Sequence, residues 1–83
     1  DKVLIDVKAL ADGDLAIGMF NLSDEKSRAA MNLDEIGLPF STGRTLELTE
    51  VWTGKNLCAN NASLVTELEP FASKVYRAKV VKL

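Results

Sequence analysis

Val3, Ile5, Val7 and Ala9 fall on one face of an extended segment, and Lys2, Asp6 and Lys8 fall on the other. Apolar side chains at every second position, with charged ones between them, mark a half-buried β-strand. Ala11-Asp12-Gly13-Asp14 interrupts the pattern. Asp-Gly between two apolar runs predicts a hairpin, because glycine accepts the positive φ such turns require. From Leu15 to Leu22 both faces are apolar: Leu15, Ile17 and Met19 on one side, Ala16, Gly18, Phe20 and Leu22 on the other. That predicts a central strand covered on both faces.

A polar turn at residues 21–25 leads into a third strand over about residues 26–33, with Ala29, Met31 and Leu33 on one face and Arg28, Ala30 and Asn32 on the other. Leu33 and Ile36 break the alternation, and Gly37 followed by Pro39 limits what comes after, so one helical turn near 33–37, closed by the glycine, is expected. In the run from Arg44 to Val51, Leu46 and Leu48 share a face while Val51 has the opposite parity. This slip predicts a bulge or bend near Glu50. Thr53-Gly54-Lys55-Asn56 reads as a turn, Leu57-Cys58 as a short strand at most, and Ala59-Asn60-Asn61 as a second turn. Leu64, Thr66 and Leu68 alternate with Val65, Glu67 and Glu69 in a strand that Pro70 ends. The last run, Ala72 to Val81, has no clear face, and its lysines place it near a sheet edge, where charge discourages pairing with another chain.

Strands and turns recurring at intervals of roughly 8–12 residues are the mark of a β-sandwich or barrel. The fold class expected is all-β: a small antiparallel β-sandwich of about seven or eight strands, built as one domain over residues 1–83. A chain this short buries about 60–65% of the surface its unfolded form exposes and has little volume left for a deep catalytic cleft. The 47% apolar and 27% charged composition is that of an ordinary globular domain.

Charge and residue types narrow the chemistry. A net charge of −2 supplies no field for capturing phosphates, so neither nucleic acid nor an anionic membrane is an expected partner. No apolar run approaches the ~20 residues of a membrane span, and a soluble domain, cytoplasmic or secreted, is expected. The segment has no histidine, which removes the commonest general base and the commonest zinc ligand. No metal or cofactor is expected. Cys58 has no partner within the segment for a disulfide and reads as a small buried apolar side chain. The chain begins at Asp1 without Met, as a piece cut from something longer would.

Acidic pairs flank the Leu15–Leu22 run, and paired carboxylates cleave glycosidic bonds. The spacing argues against that here. Asp14 and Asp24 lie on the order of 30 Å apart along a strand rising about 3.3 Å per residue, whereas a glycosidase holds its pair within about 5–9.5 Å. Asp12 and Asp14 are close together but flank an exposed turn, and both read as turn residues. Trp52, the only tryptophan, reads as covering one end of the core. The alternative is that Trp52, or Tyr76, stacks on a sugar ring. Gly54-Lys55-Asn56 lacks the rest of a phosphate-binding loop. Asn21-Leu22-Ser23 and Asn61-Ala62-Ser63 are formal N-glycosylation sequons. Lys74, Arg77, Lys79 and Lys82 read as a solvated basic face, or as a contact for an acidic partner.

Four blocks in order carry a resemblance: Leu10-Ala11-Asp12-Gly13-Asp14-Leu15-Ala16-Ile17-Gly18-Met19-Phe20-Asn21, Asp34-Glu35-Ile36-Gly37-Leu38, Val51-Trp52-Thr53-Gly54-Lys55-Asn56-Leu57 and Leu68-Glu69-Pro70-Phe71-Ala72-Ser73. Together they resemble the C-terminal β-sandwich of α-galactosidases (melibiases), glycoside hydrolases, over nearly the whole chain. The resemblance implies a Greek-key sandwich following a (β/α)8 barrel in the same parent chain. That barrel carries both aspartates that cleave terminal α-linked galactose. Neither falls in the matched segment, so no catalytic residue is carried over. Phe71-Ala72 departs from the His-Gly the family often has there. The expected function is a non-catalytic accessory domain packed on the barrel; the alternatives are a carbohydrate-binding module and an immunoglobulin-like interaction domain.

Overall fold

The computed structural model describes residues 2–36, 43–59 and 63–82. Seven strands follow in chain order: β1 (Val3–Ala9), β2 (Leu15–Asn21), β3 (Ser27–Asn32), β4 (Arg44–Glu50), β5 (Asn56–Cys58), β6 (Ser63–Leu68) and β7 (Ser73–Lys82), with a 3-10 turn at Leu33–Ile36 after β3. The expected glycine stop at Gly37 lies outside the described residues. Every strand pair is antiparallel. One sheet has five strands in the order β1-β2-β7-β4-β5, and the other has two, β3 and β6. The chain crosses between sheets four times, so β2 and β7, distant in sequence, become neighbours.

Alternation decides which side of each strand is buried. Ile17 and Met19 of β2, Leu46 and Leu48 of β4, and Tyr76 and Ala78 of β7 point inward from the larger sheet and are at most 3% exposed. Ala29, Met31, Leu64 and Leu68 meet them from the smaller sheet, and Leu33 of the 3-10 turn joins the same cluster. Burying each large aliphatic side chain contributes about 1.5–3 kcal/mol. A two-stranded sheet is marginal in water by itself, so β3 and β6 depend on this apolar seam.

The first turn forms as its sequence requires. The Leu10 N–H donates to the Asp14 carbonyl at 2.8 Å, and Gly13 sits at φ 91°, a backbone region costly for any residue with a Cβ. Gly18 is a different case, a glycine inside a strand. A Cβ there would lie 2.9 Å from Cε2 of Phe20, so the phenyl ring folds back over the glycine on the outer face of the sheet. The ring covers backbone that a glycine would otherwise leave open to water.

Several expectations need correction. The last strand is not at an edge: β7 lies between β2 and β4. Tertiary pairing claims it because its Tyr76 and Ala78 complete the core. Its basic residues do not share a face, since Arg77 and Lys79 alternate with core-facing positions whereas Lys74 and Lys82 have the core-facing parity near the two ends. There is no bulge near Glu50; the β4–β7 register runs unbroken from Arg44↔Lys82 to Glu50↔Tyr76, and the parity slip marks the turn that begins at Val51. β2 is central, but only its inner face is fully covered: Ala16, Gly18 and Phe20 are half-buried and Leu22 is exposed.

Candidate functional site

The acidic residues that suggested hydrolysis have a structural role. Asp12 and Asp14 bracket Gly13, and the Asp14 N–H donates to Asp12 Oδ1, which tightens the turn. Both carboxylates then face Arg77 of β7: Nη2 pairs with Asp12, and Nε donates to Asp14 Oδ2 at 3.2 Å. Arg77 can reach them because Ala16↔Arg77 is a rung of the β2–β7 ladder. One guanidinium engages both carboxylates and offsets half of their charge, so both are committed to the turn. Asp24 lies beyond the opposite end of β2, as its spacing predicted. Among the described residues no three Asp, Glu, Cys or His side chains converge as metal ligands would.

The two candidate sugar contacts separate. Tyr76 is 3% exposed, with its hydroxyl 3.0 Å from Thr66 Oγ1 of β6, so its ring belongs to the core and its polar end bridges the two sheets. It cannot offer a face to a sugar. Trp52 is 62% exposed on the β4–β5 turn and does not cover the core. Trp52 lies in the turn that follows β4, beyond the inward-facing positions that Leu46 and Leu48 occupy. Cys58 is also exposed, because β5 is an edge strand and the inward position there is taken by Leu57, opposite Leu48.

Asn21, read from the sequence as part of a polar turn and of a sequon, is instead a buried side chain with five polar contacts. It is 2% exposed. Its Nδ2 donates toward three carbonyl oxygens, Glu25 at 2.8 Å, Glu69 at 3.1 Å and Leu68 at 3.2 Å. Its Oδ1 accepts from the Ser23 N–H at 3.0 Å and the Ser23 hydroxyl at 2.8 Å. One amide therefore ties the end of β2 to the turn after β6, and this use of Nδ2 leaves no room for a glycan in the folded domain. The signal in the sequence was parity: Asn21 continues the face of Ile17 and Met19, where only a fully bonded polar group is tolerated. The second sequon's Asn61 lies outside the described residues.

Around this plug the surface is open. A depression of about 580 Å³ lies beside Lys2, the Leu22–Glu25 turn, Ser27 and Phe71. Phe71 is 71% exposed and adopts φ 55°, a left-handed conformation that is uncommon outside glycine and asparagine. Its N–H donates to the Ser23 carbonyl at 3.0 Å, which holds the two turns together.

The outer faces of the two sheets differ in chemistry. By register, Leu22, Leu4 with Phe20, and Val75 with Val51 occupy adjoining rungs on the outside of the five-stranded sheet at this same end of the molecule. The other half of that face carries the Arg77 cluster and the Glu47↔Lys79 rung. The outside of the two-stranded sheet is charged: Lys26 Nζ lies 3.3 Å from Glu67 and 3.7 Å from Glu69, and Arg28 lies 3.9 Å from Glu67. The hydrogen bond and charge of Glu67 hold the Lys26 ammonium above its ordinary pKa.

Comparison with known proteins gives these surfaces a context. Residues 3–78 match the family model described as the alpha galactosidase C-terminal beta sandwich domain. No curated protein matches the chain. Among solved structures, a Bacteroides fragilis protein provisionally assigned as an alpha-galactosidase/melibiase superposes with a TM-score of 0.77 at 25% identity, covering 95% of this chain and 16% of that one. A Bacillus halodurans protein provisionally assigned as an alpha-N-acetylgalactosaminidase superposes with a TM-score of 0.80 at 23% identity, over 95% of this chain and 18% of its own. A β-L-arabinopyranosidase of glycoside hydrolase family GH27 from Geobacillus stearothermophilus gives 0.80 at 20% identity, over 95% and 17%. At the two lower identities the likeness is one of fold. The chain spans about a sixth of the length of these solved chains.

Proposed function

The chain belongs to the alpha-galactosidase C-terminal β-sandwich domain family, and from that membership we propose that it is the non-catalytic accessory domain of a glycoside hydrolase acting on terminal α-galactosyl residues. It packs on the catalytic (β/α)8 barrel of the same parent chain and stabilises it. One observation carries the reading: the same fold makes up only 16–18% of three chains described as glycosidases. Within this segment the candidate carboxylate pair is occupied by Arg77, which supports an active site elsewhere. The three glycosidases are described with different sugar preferences, so we assign the choice of sugar to the barrel.

Calorimetry and activity of the parent enzyme with and without residues 1–83 test this role. Deletion is expected to lower the melting temperature of the barrel, and the isolated 83-residue chain is expected to release no galactose from an aryl α-galactoside. An unchanged melting temperature and activity after deletion would refute the stabilising role, and galactose release by the isolated chain would refute the non-catalytic one.

A second reading is carbohydrate binding, favoured by the exposed indole of Trp52, since an uncovered aromatic face suits the apolar face of a pyranose. It requires saturable heat on titration with galactosides, abolished by Trp52→Ala.

A further inference from the structure

We propose that the outer face of the five-stranded sheet, at the end bearing Leu4, Phe20, Leu22, Val51 and Val75, is the surface that docks on the catalytic barrel. The inference rests on the accessory-domain reading and adds which face does the work.

Three observations carry it. The first is the distribution of exposed apolar groups. Leu4 at 52%, Leu22 at 56%, Val51 at 55%, Trp52 at 62% and Phe71 at 71% crowd one end of the molecule, and among the described residues Val65 on β6 is the remaining large apolar residue as exposed as these. Single exposed leucines need no explanation, but a contiguous apolar field on a domain this small marks a buried contact in the complete protein. Register sets these apolar residues on adjoining rungs, with the charged Lys2 and Asp6 of the edge strand on either side of Leu4 at the margin: Lys2↔Leu22 continues the Val3↔Asn21 register, Leu4↔Phe20 follows, and the Val51 N–H donates to the Val75 carbonyl at 2.9 Å.

The second is Gly18. Its missing Cβ lets the Phe20 ring lie flat over the strand, which smooths the face that a second layer would meet. Phe20 is half-buried within the domain, so its remaining exposed edge gains from a further cover.

The third is where the partner's chain enters. A barrel that precedes this domain reaches it through Lys2, whose carbonyl accepts the Leu22 N–H at 2.7 Å. The connection therefore arrives at the apolar end. The opposite layer is unsuited to an apolar contact, because Lys26, Arg28, Glu67 and Glu69 would have to lose water there. The field is thus matched by an apolar barrel surface, and Trp52, at its rim, is partly shielded once docked.

Site-directed thiol labelling of the full-length parent enzyme distinguishes the faces. Against a Cys58→Ser background, cysteine is placed at Leu4 or Val51 on the proposed face and at Val65 on the other layer. Leu4 and Val65 are 52% and 51% exposed in the domain, so accessibility within the domain does not separate them. Maleimide modification is followed by mass spectrometry of the tryptic peptides. Leu4→Cys and Val51→Cys are expected to react at least tenfold more slowly than Val65→Cys. Protection of Val65→Cys with Leu4→Cys and Val51→Cys open would overturn the chosen face and leave docking intact. Rapid labelling at all three positions would overturn the face and the docking reading together. Protection at all three would overturn the assignment to a single face.

Discussion

Replacing Asn21 is the sharpest test of how the two sheets are held in register. The amide is 2% exposed and stands where the core parity demands an apolar residue. Its five polar contacts are the reason it is tolerated. Asn21→Ala removes two N–H donors shared among three carbonyls, and an acceptor used twice by Ser23. At a net value of about 1 kcal/mol per bond the full set would be worth about 4 kcal/mol. Water can reach Glu25, Glu69 and Ser23, whereas the Leu68 bond is buried, so a loss of about 3 kcal/mol is expected. For a domain of this size that lowers the melting temperature by about 12–24 °C.

Asn21→Asp keeps the shape and reverses the polarity. A carboxylate oxygen then faces three carbonyl oxygens, so the ionised form is strongly disfavoured in the folded state and its pKa rises above the unfolded value. A group with a raised folded pKa loses stability as pH climbs through that value. The aspartate variant is therefore expected to be less stable than the alanine variant at pH near 7, and to gain on it as the pH falls toward the unfolded carboxyl range of about 4. Urea unfolding followed by far-UV circular dichroism reads all three proteins. A loss below about 1 kcal/mol for Asn21→Ala, or an aspartate variant as stable as the parent at neutral pH, would refute the assigned role.

Two further substitutions probe the bridge between the sheets and the clamp at the far end of β2. Tyr76→Phe keeps the buried ring and removes its 3.0 Å contact with Thr66, so a loss of about 1 kcal/mol in urea unfolding is expected; no change would mean that the hydroxyl bond between the sheets carries no net stability. Arg77→Ala releases Asp12 and Asp14 at a site where the arginine side chain is 52% exposed. Surface pairs are weak and screened, so the cost should be about 0.5 kcal/mol in low salt and vanish near 1 M salt; a large loss insensitive to salt would refute the reading of an exposed clamp.

β1 and β3 were legible because their side chains alternate, and Asp-Gly marks the turn between the first two strands; β2, apolar on both faces, was legible as a strand but not in which face is covered. Val3, Ile5 and Val7 turn inward as their period-two pattern required. Leu64, Thr66 and Leu68 of β6 follow the same rule. Periodicity is a local property of the pleat, so it survives whatever the neighbouring strand turns out to be. The Greek-key-type sandwich and the family were legible too, the latter through the order of the four blocks rather than any one of them.

Partnership was the part that alternation cannot encode. Lysines in the last run suggested an edge, yet β7 lies in the middle of the larger sheet, because a strand buried on one face accepts charge on the other wherever it lies in the order. Trp52 and Cys58 were read as covered from their chemistry, and Tyr76 as a possible platform. The larger sheet's register exposes the first two and encloses the third. Asn21 looked like a turn residue until β2 carried it into the seam beside Leu68 and Glu69, 47 and 48 positions away. The sequence alone settled which residues face inward along β1, β3 and β6, where alternation is clean; only the folded chain gave β2 and β7 their inner faces and decided which strands meet, and so which polar groups find partners and which apolar surface is left for another domain.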